Sequence, residues 1–298
     1  MSKTIKYHIL LNSIIVFLLI EEVSGNILQA PQQDHTAFGV DTILPRRIKD
    51  VVKITRFWKL PPLLKNISAI DFISRGKLAC LQDEVGSIFI LNLGTDKIEN
   101  EIVFGPPGDY EGLVLIKNNA YVACGDGRIM EIQNYNSEKP VVKEYGTHLT
   151  STENVNGVCY DKKNRRLLVS IRRTEDANQL YKDIYSFDLV SKRMPVKPVL
   201  RIDLTDTAFG NLSAKNVQTV FQPSDLHIHP GNGMLYIIDG TRTQILRMKL
   251  SGDIRDLTEL DKEKIIQPEG ITFTPSGELF IASKGLKDEP GMLFSVRL

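Results

Sequence analysis

Gln222-Pro223-Ser224-Asp225-Leu226-His227-Ile228-His229-Pro230-Gly231-Asn232-Gly233-Met234-Leu235-Tyr236-Ile237-Ile238 returns 45 residues later as Gln267-Pro268-Glu269-Gly270-Ile271-Thr272-Phe273-Thr274-Pro275-Ser276-Gly277-Glu278-Leu279-Phe280-Ile281. In each stretch a short apolar run meets a Pro/Gly turn and then a second apolar run, which reads as a hairpin. The same plan recurs upstream. Units begin at Ser68-Ala69-Ile70, Glu111-Gly112-Leu113, Asn156-Gly157-Val158, Ser224-Asp225-Leu226 and Glu269-Gly270-Ile271, at intervals of 43, 45, 68 and 45 residues. The long interval marks an insertion of 23 residues between Ile171 and Phe221, a place for partner specificity and for a cap over one channel mouth.

A third apolar strand follows each hairpin, as at Ile88 to Leu93 and Met292 to Val296, and a less regular fourth follows it in most units. Repeated four-stranded antiparallel units of this length predict an all-β fold, a five-bladed β-propeller. An open sandwich is the alternative, but its strands do not share a register of matching turns. The fifth unit ends at Leu298 after three strands, which would leave an unpaired edge. Val51 to Leu60, with Phe57 and Trp58, has no unit of its own, so this N-terminal strand is expected to pair with the last blade and close the ring over residues 51–298.

The remaining chain reads differently. Lys3 and Lys6 precede an apolar run from His8 to Ile20, and Val23-Ser24-Gly25 supplies small residues, so residues 1–25 are expected to be a signal peptide, or a membrane anchor if uncleaved. Residues 26–50 are expected to be an extension that tethers or flaps. This places the protein outside the cytoplasm, in the periplasm or cell envelope. The 37 Lys and Arg balance 36 Asp and Glu, which excludes nucleic-acid binding driven by bulk charge. Cys80, Cys124 and Cys159 sit inside apolar runs and read as buried small hydrophobes rather than disulfide partners.

Propeller geometry collects distant residues at one end of the channel. The first-strand starts give Ser68, Glu111, Asn156, Ser224 with Asp225, and Glu269, and the second-strand ends give Asp83, Asp126, Arg172, Asp239 and Lys284. Such oxygens suit a hard cation, calcium above all. The expected metal ligands are Glu111, Asn156, Asp225 and Glu269, with Asp239 and Asp126 beside them. The competing reading has the acids accept hydrogen bonds from backbone N–H groups of neighbouring blades. Arg172 and Lys284 share the ring and would favour an anionic ligand over a metal. His227 and His229 alternate with Asp225 and could bind a transition metal, although mixed residue types at these positions in other blades suggest packing.

Tyr110-Glu111-Gly112-Leu113, Gln222-Pro223-Ser224-Asp225-Leu226-His227-Ile228-His229-Pro230 and Gln267-Pro268-Glu269-Gly270-Ile271-Thr272 together resemble the SdiA-regulated (YjiK-like) family, from about Trp58 to Leu298. The resemblance implies a five-bladed propeller, distantly similar to NHL repeats, behind a membrane-targeting segment and with a bound calcium ion. It implies no reaction. Here Asn156-Gly157 stands where the family tends to have Glu-Gly, and Arg172 and Lys284 stand where acids usually end the second strands. Two functions remain open at this point. One is a non-catalytic binding module for an envelope protein or a small ligand at the channel mouth. The other is a calcium-dependent lactonase or esterase of the gluconolactonase-like propeller type, with Glu111, Asn156 and Asp225 around the metal.

Overall fold

The computed structural model describes residues 52–174, 176, 178–210 and 217–298. The expected export signal at 1–25 and extension at 26–50 lie outside the described residues. Among the described residues no helix is long and apolar enough to cross a membrane.

The five repeats become five antiparallel sheets of four strands. Blade 1 contains β2 (Ile67–Ser74), β3 (Lys77–Gln82), β4 (Ser87–Asn92) and β5 (Lys97–Val103), and blade 2 contains β6 (Tyr110–Ile116), β7 (Asn119–Cys124), β8 (Ile129–Gln133) and β9 (Val141–Tyr145). Blade 3 follows with β10 (Val155–Asp161), β11 (Arg166–Ile171), β12 (Tyr181–Asp188) and β13 (Leu200–Asp203), and blade 4 with β14 (Pro223–Ile228), β15 (Leu235–Asp239), β16 (Gln244–Met248) and β17 (Ile254–Glu259). Blade 5 takes β18 (Pro268–Phe273), β19 (Leu279–Ser283) and β20 (Met292–Arg297) from the C-terminal end and β1 (Lys53–Lys59) from the other. β1 runs antiparallel to β20 in the register Lys53↔Arg297, Phe57↔Phe294 and Lys59↔Met292. Ring closure by the N-terminal strand is therefore observed, and it removes the edge that the short fifth unit would otherwise expose.

The hairpin turns show why the sequence breaks where it does. Gly76, Gly233 and Gly277 adopt φ of +81°, +68° and +88°, a conformation that L-residues rarely enter. The first strand of each blade is innermost, and β2, β6, β10, β14 and β18 pack against one another in sequence around the axis, with β18 returning to β2.

The apolar side chains sort into five clusters, and each fills one seam between neighbouring blades. Leu81, Ile88, Leu113 and Val122 seal blades 1 and 2, for example, while Ile70, Phe89, Phe280 and Leu293 seal blades 5 and 1. Burial of both faces explains why the second strands, such as β3 and β15, read as nearly continuous apolar runs rather than as alternations. Cys80, Cys124 and Cys159 are buried and free in these seams. The insertion in blade 3 is divided between the stretch before β14 and the β11–β12 connection, whose Arg172 carbonyl accepts from Lys182 Nζ of β12 at 2.6 Å.

Candidate functional site

At one mouth of the channel every innermost strand carries a bulge. The register with the second strand shifts between Ile67 and Ala69, Tyr110 and Gly112, Val155 and Val158, Pro223 and Asp225, and Pro268 and Gly270. The residues at these shifts are Ser68, Glu111, Asn156 with Gly157, Ser224 and Glu269. A bulge leaves one residue out of the ladder and re-aims its side chain. Five strands bulged at the same level thus gather five polar side chains from across the chain.

The glycine after a bulge has a steric cause. A Cβ on Gly112 would lie 2.8 Å from Val158 N, one on Gly270 3.0 Å from Ile70 N, and one on Gly157 2.6 Å from Asp225 Cα. Each innermost strand runs against the backbone of a neighbouring blade, so Glu-Gly and Asn-Gly pair a ring side chain with the absence of one.

Asp225 follows the blade 4 bulge and uses the same narrow space in another way. It is buried, and its carboxylate accepts from Leu226 N at 2.9 Å and from Ile271 N of blade 5 at 2.9 Å, with a further backbone bond from Val158 of blade 3. Desolvation raises its pKa well above the ordinary carboxylate value. Asp71 works alike from blade 1, accepting from Phe72 N at 2.8 Å, Leu115 N of blade 2 at 2.6 Å and Thr272 Oγ1 of blade 5 at 3.0 Å. These two aspartates clamp four of the five seams. At the remaining one, Asn156 Nδ2 donates to Glu111 Oε2 at 3.0 Å.

The six expected metal ligands consequently have different fates. Glu111, Asn156 and Glu269 come together at the mouth. Asp225 is engaged by backbone N–H groups. Asp239 accepts from Gln222 N, Thr241 N and Arg242 N at 3.0, 2.8 and 2.9 Å and caps the turn after β15. Asp126 pairs with Arg128 at 2.7 Å, and Arg128 in turn meets Glu144. The hydrogen bonds from neighbouring blades that were an alternative role for Glu111 and Glu269 are received by Asp71 and Asp225. His227 and His229 both pack against Phe273, and among the described residues no third ligand joins them to hold a metal. His227 sits edge-on to Phe273, while His229 stacks near Tyr236 and accepts from the Gly231 and Asn232 N–H groups.

A second ring lies one step along, where the backbone N–H groups of Asp83, Gly125, Arg172 and Lys284 return to the carbonyls of Asn66, Asp109, Asn154 and Gln267. Lys284 Nζ lies 2.8 Å from Asp83 Oδ2, and the two side chains are 22% and 23% exposed. Burial would lower the Lys284 pKa, but Glu269, Asp83 and Glu111 together hold it above its usual value. Desolvation pushes Glu111 up to about 8, against the pull of Lys284 and with the help of Asp109 and Glu269. Glu269 is also raised by burial, with Lys284 and Arg172 opposing and the Ser224 hydroxyl bonded to it. Among these groups three buried oxygens have no hydrogen-bond partner: Ser68 Oγ, Asp83 Oδ1 and Asn156 Oδ1. The importance of Lys284 was visible in the sequence only as an exception, a cation in a register of acids.

The family described as SdiA-regulated matches residues 52–296. The chain belongs to the SdiA-regulated family. No curated protein matches it significantly. Among solved structures, this SdiA-regulated propeller is similar to glutaminyl cyclase of Myxococcus xanthus, at 16% identity and a TM-score of 0.57 over 83% of this chain and 96% of that one. It also matches virginiamycin B lyase from Staphylococcus aureus, at 17% identity and a TM-score of 0.43 over 82% of this chain and 74% of that one. At such identity the first likeness is one of fold.

The calcium site implied by the family resemblance can be judged on the donors. A calcium ion takes about six to eight oxygens at about 2.3–2.6 Å. Of the six expected ligands, Asp225 and Asp239 are committed to backbone N–H groups, Asp126 is paired with Arg128, and the ammonium of Lys284 stands among the acids that remain. Among the described residues no three His, Cys, Asp or Glu side chains are placed to hold a metal. The SdiA-regulated mouth of this chain does not fit that ion as its sequence pattern suggested.

Proposed function

We propose that the protein is a non-catalytic binding module that takes a small polar ligand at the channel mouth. The observation that carries this reading is the set of three buried oxygens, Ser68 Oγ, Asp83 Oδ1 and Asn156 Oδ1, that lack a hydrogen-bond partner. An unsatisfied buried polar atom costs about 1–3 kcal/mol, and a ligand that supplies the missing bond recovers it. Two of the three atoms are pure acceptors, so the ligand is rich in hydrogen-bond donors, as sugars, amino acids and amines are. The rigid ring of seams supports binding without a large conformational step.

Work outside the cytoplasm belongs to the same proposal. It is supported by the sequence of residues 1–25, and N-terminal analysis of the mature protein tests it.

The binding test is a thermal-shift screen of sugars, amino acids and polyamines against the wild type and Ser68→Ala. Removing an unpartnered hydroxyl leaves the free protein as stable as before or slightly more so, and weakens the bound ligand about tenfold. A ligand that binds S68A and the wild type equally places the site elsewhere. Hydrolysis of a lactone or ester that disappears in Glu111→Gln would replace the module with an enzyme, because Glu111 would then be acting as an acid or base.

A further inference from the structure

The carboxyl groups of Asp83, Glu111 and Glu269 come from blades 1, 2 and 5 and lie at one partly buried level, near enough to act on one another electrostatically. Carboxylates withdrawn from water need a countercharge or a proton. A divalent ion is one solution. Lys284 offers another: a compact ammonium with three donors, delivered by the protein itself. Its backbone is fixed by the Lys284 N to Gln267 O hydrogen bond at 3.2 Å, and its Nζ is 2.8 Å from Asp83 Oδ2. Glu269, Asp83 and Glu111 are the three groups that pull on it electrostatically. The second ring is shaped around the acids as well. A Cβ on Gly240 would lie 2.6 Å from Ser224 Oγ and 3.3 Å from Glu269 Oε1, and one on Gly125 would overlap the Asp109 carboxylate at 2.0 Å. Glycine leaves room for the Asp109 carboxylate at one position of this ring and for Ser224 and the Pro268 carbonyl, with Glu269 just beyond, at another, and Arg172 and Lys284 place cations at two others.

We propose that the ammonium of Lys284 is the resident cation of the channel mouth, bound to Asp83 across the seam and set near Glu111 and Glu269, in place of the calcium ion that the family resemblance implies. The ring then closes electrostatically without metal, and the Asp83–Lys284 pair ties blade 1 to blade 5, the blade in which the two ends of the chain pair.

Lys284→Met keeps the length of the side chain and removes its charge. The readouts are thermal unfolding with and without chelator, and calorimetric titration with calcium chloride. The wild type is expected to take up no calcium and to show the same Tm in both buffers. K284M is expected to lose about 5 °C or more in chelator, to draw the acids freed of the ammonium, which in the wild type are not placed to share a metal, around one calcium ion, and to regain most of the loss with it. Lys284→Arg keeps the charge and remains indifferent to calcium. A chelator-sensitive wild type, or a K284M variant that takes no calcium, overturns the proposal. Should K284M not fold in metal-free buffer, refolding with and without millimolar calcium decides: recovery only with calcium supports the proposal, and failure in both overturns it. The small-ligand screen is separate from this test, so the two readings fail independently.

Discussion

The indole nitrogen of Trp58 donates a hydrogen bond to the carbonyl oxygen of Leu93 at 2.9 Å. Trp58 belongs to β1, the outermost strand of blade 5, whereas Leu93 follows β4 in blade 1. The ring is therefore closed by pairing of β1 with β20 and again by a side chain crossing to the adjacent blade. The Trp58 ring lies 5.9 Å from that of Phe280 and packs against the cluster shared by blades 5 and 1. Trp58→Phe loses the crossing bond and should cost about 1 kcal/mol. Trp58→Ala also loses the packing and should cost about 3 kcal/mol. Trp58 is the only tryptophan, so its fluorescence in the wild type reports the closure directly. It should change together with the far-ultraviolet signal during urea unfolding. A fluorescence change that comes clearly first would show that β1 detaches before the ring opens.

The bulge glycines carry a graded prediction. Gly112→Ala puts a Cβ 2.8 Å from the Val158 nitrogen, and the obstacle is backbone that cannot rotate away. A loss of about 1–3 kcal/mol is expected. Gly157→Ala adds a φ of +87° to a 2.6 Å approach to Asp225 Cα and should be the more damaging change, at about 3 kcal/mol or more. Gly76→Ala is the control, with a φ of +81° but open space around its Cβ, and should cost about 1–2 kcal/mol. Urea unfolding of the three variants checks the order. Equal effects at Gly157 and Gly76 would show that conformation, not the neighbouring blade, fixes glycine at the mouth.

What could be read from the sequence divides along physical lines. Blade number and ring closure follow from spacing, because strand, turn and repeat length are local quantities, and the unpaired edge after Leu298 demands a partner strand. The polar ring at Ser68, Glu111, Asn156, Ser224 and Glu269 follows from the same register. The roles of its members do not. Asp225 resembles a ligand in sequence, yet it lies one residue beyond the bulge and meets the N–H groups of Ile271 and Val158, which only the packing of three blades brings to it. Asp71 carried no signal because its partners, Leu115 and Thr272, are distant in the chain. Lys284 stands out in the sequence as a departure, but its pairing with Asp83 depends on which blades adjoin after closure.

Burial of the cysteines sets their chemistry. Desolvation raises the thiols of Cys80 and Cys159 well above the usual value and that of Cys124 to about 12. A thiol attacks as its thiolate, and these groups are both protonated and shielded. A thiol reagent at pH 8 should modify none of the three in the folded protein and all three in denaturant. Reaction of one cysteine at a rate that does not follow global unfolding would reveal a local opening of its seam.

The carboxyl group of Glu111 makes stability depend on pH in a defined direction. An ordinary glutamate loses its proton near 4.5, whereas Glu111 in the folded protein holds it up to about 8. Between those values the folded chain binds more protons than the unfolded one, so stability falls as pH rises. The contribution is complete below about 4.5 and is lost as pH passes through about 8, with a slope of at most about 1.4 kcal/mol per pH unit. Glu269, also raised by burial, acts with the same sign. Glu131 acts oppositely: although burial would raise it, bonds from Lys192, Tyr121 and Tyr145 hold it down to about 2. Its stabilisation is lost as pH falls below about 4.5, so the two effects occupy separate windows. Glu111→Gln fixes the side chain in an uncharged form. It should flatten the decline between about pH 5 and 8 and make the variant more stable than the wild type at the alkaline end. Urea unfolding of both proteins across that range measures the difference, and parallel curves would show that Glu111 is already ionised at neutral pH.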